Sequence, residues 1–450
     1  MIANLGDTPT APPAPRDLGM ATNPRSPPLE HTRWTARFAM RSATWMVLLS
    51  VTVFERFGIT SGKNAIDFSL IVLYMLVFLG LVFDAFELSI MRLVLFAALT
   101  ASACLSYGFN LALGDNLSIA SMLLFIVLYA PFVISLRGPF VDATGEVAAS
   151  QFLAIALLLA AAGTLQFFLQ FAIHASWLFD YTPLIPEVFR GPTNFNTVYS
   201  VGHFTKSNGF FLREPSEFSL LMGLAIVIES SWKRRPWALV CFGTGLILSY
   251  SGTGILTLGV GLLVPFNYKV ALRLLLVALL GAAVYFAAGE ALRLDITLRR
   301  VSEFGAAGSS GYARYIAPAF LVQDTFNDTA WSPILGHGPG MITKAAGRYQ
   351  SHDPTWAKGI FEYGLLGFLL VCALMTSVLR KPQIPLRLTV VLMVTWLVTG
   401  GHLLSASAAA LRLILVGFLP SLSEAALGLD RRQPGPPTLG YRDHAGEAAR

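Results

Sequence analysis

Apolar stretches of about 20 residues, long enough to cross the hydrocarbon core as helices, recur along almost the whole chain. Charged residues make up 13% of the sequence, roughly half the share expected of a soluble protein. Backbone at membrane depth cannot leave its polar groups facing lipid, so the spans must be helical and any irregular segment must be buried or line a cavity. The pattern predicts an all-α polytopic membrane protein with spans at 44–57, 66–83, 88–107, 117–136, 148–174, 216–231, 236–250, 253–267, 270–288, 358–379, 387–403 and 405–420. That is twelve crossings. Residues 33–428 form the membrane domain, flanked by tails at 1–32 and 429–450 whose composition predicts disorder. No short apolar run with a small-residue cleavage site opens the chain, so no cleaved signal peptide is expected.

Lys and Arg in short loops report orientation. Arg33, Arg37 and Arg41, Arg137, Lys233-Arg234-Arg235, Lys269 and Arg273, Arg380, Lys381 and Arg387, and Arg431 and Arg432 all fall on one side of a twelve-span chain. That side is the cytoplasm, with both termini inside. The basic balance therefore reports topology rather than nucleic-acid binding. Glu55 and Arg56, at the end of the first span, are expected near an interface. Cys104, Cys241 and Cys372 lie inside apolar segments and read as small hydrophobic residues rather than ligands.

The same parity places two long loops outside, 177–213 and 291–359. Loops of that length are functional or disordered, and these contain aromatic residues and little low-complexity sequence. Polar chemistry collects there. Arg213-Glu214-Pro215-Ser216-Glu217 meets the start of a span; Pro215 and Glu217 suit a capped helix end, but an Arg with two carboxylates at a membrane boundary also suits a functional site. Arg299, Arg300 and Arg314 offer planar forks for phosphate, or solvated loop charges. Gly336-His337-Gly338-Pro339-Gly340 allows positive φ; its amides can cradle an anion, or it is a tight turn. His352 and Asp353 open the tenth span: Asp353-Pro354 is a strong helix start, and His352 has the ordinary pKa of a general base. His337 and His352 lack the spacing of metal ligands. The span middles read as nearly bare of charge and no internal repeat is evident, which counts against a transporter.

With these residues in place, the chain resembles the O-antigen ligase and Wzy-type polysaccharide polymerase superfamily. Arg213-Glu214-Pro215-Ser216 is similar to the "EPS" signature of exopolysaccharide polymerases. Arg314, Trp331-Ser332-Pro333 and the glycines at 336, 338 and 340 resemble its Arg…P-x-x-G-x-G-x-G loop. His352 with Glu362-Tyr363-Gly364-Leu365-Leu366-Gly367 resembles its His…E-x-G-L-x-G element. Two departures stand out. Gly252 follows Ser251 where the family often has Arg, and the gap from His352 to Gly364 is one residue longer than in ligases. These lean toward polymerase over ligase.

The resemblance implies a GT-C-type inverting glycosyltransferase, without metal or other cofactor, in a bacterial inner membrane. It implies undecaprenyl-pyrophosphate-linked saccharides as substrates, joined at the periplasmic face, with a chain-length regulator as a further partner. Arg213, Arg314 and Arg299, with Gly336, Gly338 and Gly340, would bind pyrophosphate; Glu214, His337, His352 and Asp353 are the base candidates. A ligase acting on lipid A core and a lipid-linked saccharide transporter are the alternatives.

Overall fold

A computed structural model describes residues 30–61, 64–136, 138–191, 200–201, 204–264, 268–288, 305–307, 309–349, 353–379 and 385–417. Arg299, Arg300 and His352, and most of both expected tails, lie outside the described residues. Helices dominate: α1 Glu30–Ser50, α2 Phe68–Val82, α3 Ile90–Ala112, α4 Ile119–Tyr129, α5 Gly138–Leu169, α6 Pro215–Ser231, α7 Pro236–Leu248, α8 Gly252–Leu263 and α9 Tyr268–Ala288. Four shorter helices follow, α10 Ser310–Tyr315, α11 Ala317–Asp328, α12 Ser332–Leu335 and α13 Ile342–Tyr349, and then α14 Thr355–Leu379, α15 Leu386–Val398 and α16 Ala406–Gly417. Among the described residues strands are limited to short antiparallel pairs: β1 Gly58–Ser61 with β2 Asn64–Asp67, β3 Phe86–Leu88 with β4 Ile134–Leu136, and β5 Ser200–Val201 with β6 Phe204–Thr205.

Each expected span carries a helix. By length and composition, three described helical stretches can cross a membrane on their own, Ile90–Ala112, Val147–Leu169 and Thr355–Leu379. The first expected span differs: its helix begins at Glu30 and ends at Ser50, and residues 51–56 turn back into the protein. Glu55 and Arg56 are buried in the protein, 5% and 1% exposed. The described cysteines are free, Cys104 and Cys241 on exposed helix faces.

α6 is the central helix, packed against α5, α7 and α8. Its approach to α8 is close enough that a Cβ on Gly254 would stand 2.1 Å from the Ser219 carbonyl oxygen. Small residues allow this contact, as in membrane helix pairs generally. The Ser219 hydroxyl accepts the Gly254 N–H at 3.0 Å. Thr253 is thereby fixed beside the start of α6.

The loop between α5 and α6 is pinned by Arg56. Its Nη1 donates to Asp180 Oδ1 at 2.5 Å and Thr182 Oγ1 at 3.0 Å. Its Nη2 donates to the carbonyls of Phe179 at 2.9 Å and Leu212 at 2.5 Å, and its Nε to Phe211 at 3.2 Å. The guanidinium also lies 4.8 Å from the Tyr181 ring centroid. One buried cation thus ties residues 179–182 and 211–212 to the end of the first span, and Arg213 follows directly.

α14 is broken. Gly364 has φ 67° and ψ −176°, outside the helical range. Upstream carbonyls lose their helical donors there. Loop amides replace them: the His337 N–H donates to Phe361 O at 2.8 Å and the Gly338 N–H to Glu362 O at 3.0 Å. The Ser106 hydroxyl of α3 also donates to Glu362 O, at 3.0 Å. The glycine turn between α12 and α13 is therefore plugged into a gap in a membrane helix.

Arg56→Met would take the charge partner from Asp180 and the donor from the Leu212 carbonyl, while Phe179 and Phe211 keep donors from Asn208 and Tyr181. Breaking one side of such a buried pair costs about 3 kcal/mol. The expected result is a lower apparent melting temperature in detergent; an unchanged one would mean that other contacts hold these segments.

Candidate active site

A cavity of about 380 Å³ opens where the ends of α2, α6, α14, α15 and α16 converge. Asp67, Arg213, Glu214, Ser216 and Glu217 form one wall, Arg314, Asp353 and Lys358 a second, and the turn Thr399–Ser407 a third.

The first wall is a dense charge cluster. The Arg213 Nη2 donates to Asp67 Oδ1 at 3.1 Å and to the Glu55 carbonyl at 3.0 Å. Its backbone N–H reaches Glu55 Oε2 at 3.4 Å. Burial works against the Arg213 charge, but Glu55, Glu217 and Asp67 outweigh it and raise its pKa above the ordinary value. Glu55 and Glu217 both lie within reach of the Arg213 charge, which favours their ionised forms against the cost of burial. Glu214 is the N-cap of α6, in a capping box with Glu217 and with Pro215 opening the helix. The Glu214 N–H donates to Glu217 Oε2 at 3.3 Å, and the Ser216 hydroxyl donates to Glu214 Oε2 at 2.5 Å.

Arg314 ends α10 and leans into the cavity against Glu214, with Nη2 to Oε2 at 3.7 Å. Its Nη1 donates to Thr253 Oγ1 at 3.3 Å. This is a looser grip than that on Arg213, and it leaves a guanidinium that can turn toward a ligand. Asp353 pairs with the Lys358 ammonium at 2.9 Å, with the carboxylate side chain 36% exposed and the lysine 9%. Lys358 also interacts with the Glu362 charge, one helical turn further along α14.

The glycine turn plays its part behind this wall. Gly336, Gly338 and Gly340 all have positive φ, at 72°, 89° and 82°. The amides of Gly340 and Ile342 donate to Glu362 Oε1 at 3.0 and 3.3 Å. The turn's amides thus meet a carboxyl group, and that group is a side chain of α14. None of the three glycines lines the cavity. His337 also lies away from it, against the Phe361 ring at 4.6 Å and with Nδ1 3.7 Å from Asp328 Oδ2. Burial pushes its pKa below the ordinary imidazole value, with Asp328 opposing. The structure thus brings Arg213, Glu214, Arg314 and Asp353 to one cavity and sets His337 and the glycines behind it.

Sequence reasoning passed over several groups at or behind the cavity. Asp67 lies at the start of the second span, and Lys358 opens the tenth, four residues before Glu362. His402 ends the eleventh span after two glycines, and Arg412 lies inside the twelfth. Arg412, 3% exposed within α16, corrects the expectation of bare span middles. An ionisable residue at that depth is the signal that could have found it. Among the described residues there is no group of three or more His, Cys, Asp or Glu side chains able to hold a metal.

The fold is thus a predominantly helical bundle with membrane-length helices, whose cavity gathers arginines and carboxylates at helix ends. The chain belongs to the WcaD colanic acid polymerase family, whose model matches residues 45–418. Comparison with curated proteins finds no match. Membership agrees with the resemblance to Wzy-type polymerases and makes this a membrane polysaccharide polymerase of exopolysaccharide synthesis.

Gly336→Ala combines a positive φ with a Cβ only 2.6 Å from the Glu362 carbonyl carbon. A cost of about 2 kcal/mol is expected, seen as a lower melting temperature. Gly347→Ala on α13, with open space around its Cβ, is the control and should be neutral. Equal behaviour of the two would remove the close-packed turn from the account.

Proposed function

We propose that the cavity joins polyprenyl-pyrophosphate-linked repeat units, undecaprenyl being the carrier, by inverting glycosyl transfer without a metal. The observation that carries the reading is one cavity holding Arg213, Glu214, Arg314 and Asp353, which the sequence spreads over three separate segments. In this reading the growing chain binds with its pyrophosphate against Arg314, with Arg213 and Lys358 adding positive charge. Fixed cations stabilise the charge that develops on a leaving pyrophosphate. A hydroxyl of the incoming repeat attacks the anomeric carbon from the opposite side. The new C–O bond forms, the bond to pyrophosphate breaks, and the electron pair leaves with the lipid pyrophosphate. The hydroxyl proton passes to a carboxylate.

Asp353 is the proposed acceptor. Its carboxylate faces the cavity with Lys358 as its partner, whereas Glu214 is engaged by Ser216 and Arg314 and caps α6. Glu214 then orients Arg314. His352 and Arg299, outside the described residues, retain their proposed roles as a second base candidate and a phosphate contact.

The twelve-crossing, GT-C-like topology belongs to the same proposal, with both termini cytoplasmic and the cavity periplasmic in a bacterial inner membrane. Its support is parity. The cavity is walled by the beginnings of α2, α6, α14 and α16 and the end of α15, and the twelve-span order puts all of these on the outer face. A chain-length regulator remains a proposed partner. Polymerase is preferred to ligase because of the family.

Purified protein in liposomes should convert lipid-linked repeats into a ladder on a gel. Arg314→Ala should lose about 100-fold in rate with the fold intact, Arg314→Lys less, and Asp353→Asn should also fall sharply. A wild-type ladder from Arg314→Ala would remove the pyrophosphate assignment.

A further inference from the structure

The third wall of the cavity differs in chemistry from the other two. Thr399, His402, Ser405 and Ser407 line it without a carboxylate or an ammonium. Its imidazole is held in an unusual way. His402 Nδ1 lies 3.1 Å from the Arg412 Nη2 and 3.2 Å from the Thr395 carbonyl oxygen. A guanidinium has only donors and does not lose its proton, so the nitrogen facing it must offer a lone pair. The Thr395 carbonyl is already served by the Thr399 hydroxyl at 2.6 Å. Arg412 is itself buried, its Nη1 donating to Ala408 O at 2.9 Å. With Nδ1 as acceptor, the proton of the neutral ring sits on Nε2. A second proton would set a cation against Arg412. Among the described residues Nε2 has no hydrogen-bond partner, and it stands beside Gly400, where even an added Cβ would remain 3.7 Å away.

Resting on the reading above, that the cavity takes lipid-pyrophosphate-linked saccharides, we propose that His402 contacts the substrate as a fixed neutral donor, its Nε2–H directed to a saccharide oxygen, with Arg412 as the positioning residue that sets the tautomer. The cavity then divides by chemistry. Pyrophosphate meets the charged walls, where charge-assisted bonds are strongest. Sugar meets the uncharged wall, where an imidazole N–H and hydroxyls match hydroxyl and ring oxygens. His402 serves as a donor and not as the base, because its one accepting nitrogen is spent on Arg412. Gly400 and Gly401 let the turn approach: a Cβ on Gly401 would stand 2.9 Å from Asp353 Oδ1. This brings the turn that carries His402 against the proposed proton acceptor.

The test uses the full chain in nanodiscs and two probes, a polyprenyl pyrophosphate without sugar and the same carrier bearing a saccharide. His402→Ala should weaken binding of the saccharide-bearing probe by about tenfold and leave the sugar-free probe unchanged. His402→Gln, which can place an amide N–H near the Nε2 position, should restore most of the loss. Nitrogen NMR of histidine-labelled protein should show His402 as the neutral Nε2–H tautomer from pH 5 to pH 8, and Arg412→Met should release that restriction. Equal losses for both probes, wild-type binding by His402→Ala, or an imidazolium at pH 5 in the wild type would each overturn the proposal. A wild-type protein that binds neither probe would instead overturn the functional reading beneath it.

Discussion

A membrane helix that breaks must find new partners for its backbone, and the break at Gly364 organises much of this protein. Carbonyls of Phe361 and Glu362 are freed inside the bundle, where an unmet polar group is costly. The glycine turn satisfies them, and does so only because Gly336 and Gly364 lack side chains: a Cβ on Gly364 would fall 2.1 Å from the Ile334 carbonyl oxygen. The same turn donates two amides to the Glu362 carboxylate. Glu362 then sets the electrostatic surroundings of Lys358, Lys358 grips Asp353, and Asp353 faces the cavity. Backbone satisfaction at one break is thus relayed as a chain of contacts to a carboxylate of the cavity.

The opposite wall is built by a second buried anchor. Arg56 gathers two stretches of the outer loop and delivers Arg213 to its carboxylate partners. Arg213 is held from several sides, whereas Arg314 has two longer contacts. The division suits catalysis by charge: one cation fixed to shape the wall, one able to meet the ligand. The carboxylates are tethered by a cap or an ion pair, so the wall holds its charges in fixed positions.

Much of this was legible in the sequence because membranes impose simple rules. Apolar length located the helices, and Pro215 with Glu217 marked the start of α6, where the structure places a capping box. The glycine turn reads in the sequence as a tight turn or an anion cradle, and its amides meet the Glu362 carboxyl, a residue in another element; no local pattern reveals that pairing. Attention to the long loops also hid the third wall. Gly400-Gly401-His402 looks like an ordinary connection, and Arg412 sits in an otherwise apolar run. Their meaning depends on α15 and α16 meeting α14 at one end, which is a matter of packing rather than of period. The approach of Arg314 to Glu214, from a helix far along the chain, is likewise a tertiary fact that residue types suggest but do not fix.

The central claim is that one cavity receives a lipid pyrophosphate against Arg314, with its saccharide toward Asp353 and the 399–407 turn. A cryo-electron microscopy structure of the protein in nanodiscs with a bound polyprenyl-pyrophosphate-linked saccharide tests it most directly. The account predicts phosphate density within hydrogen-bonding reach of the Arg314 guanidinium and sugar density between Asp353 and His402. Ligand density elsewhere on the bundle, with this cavity empty, would contradict it.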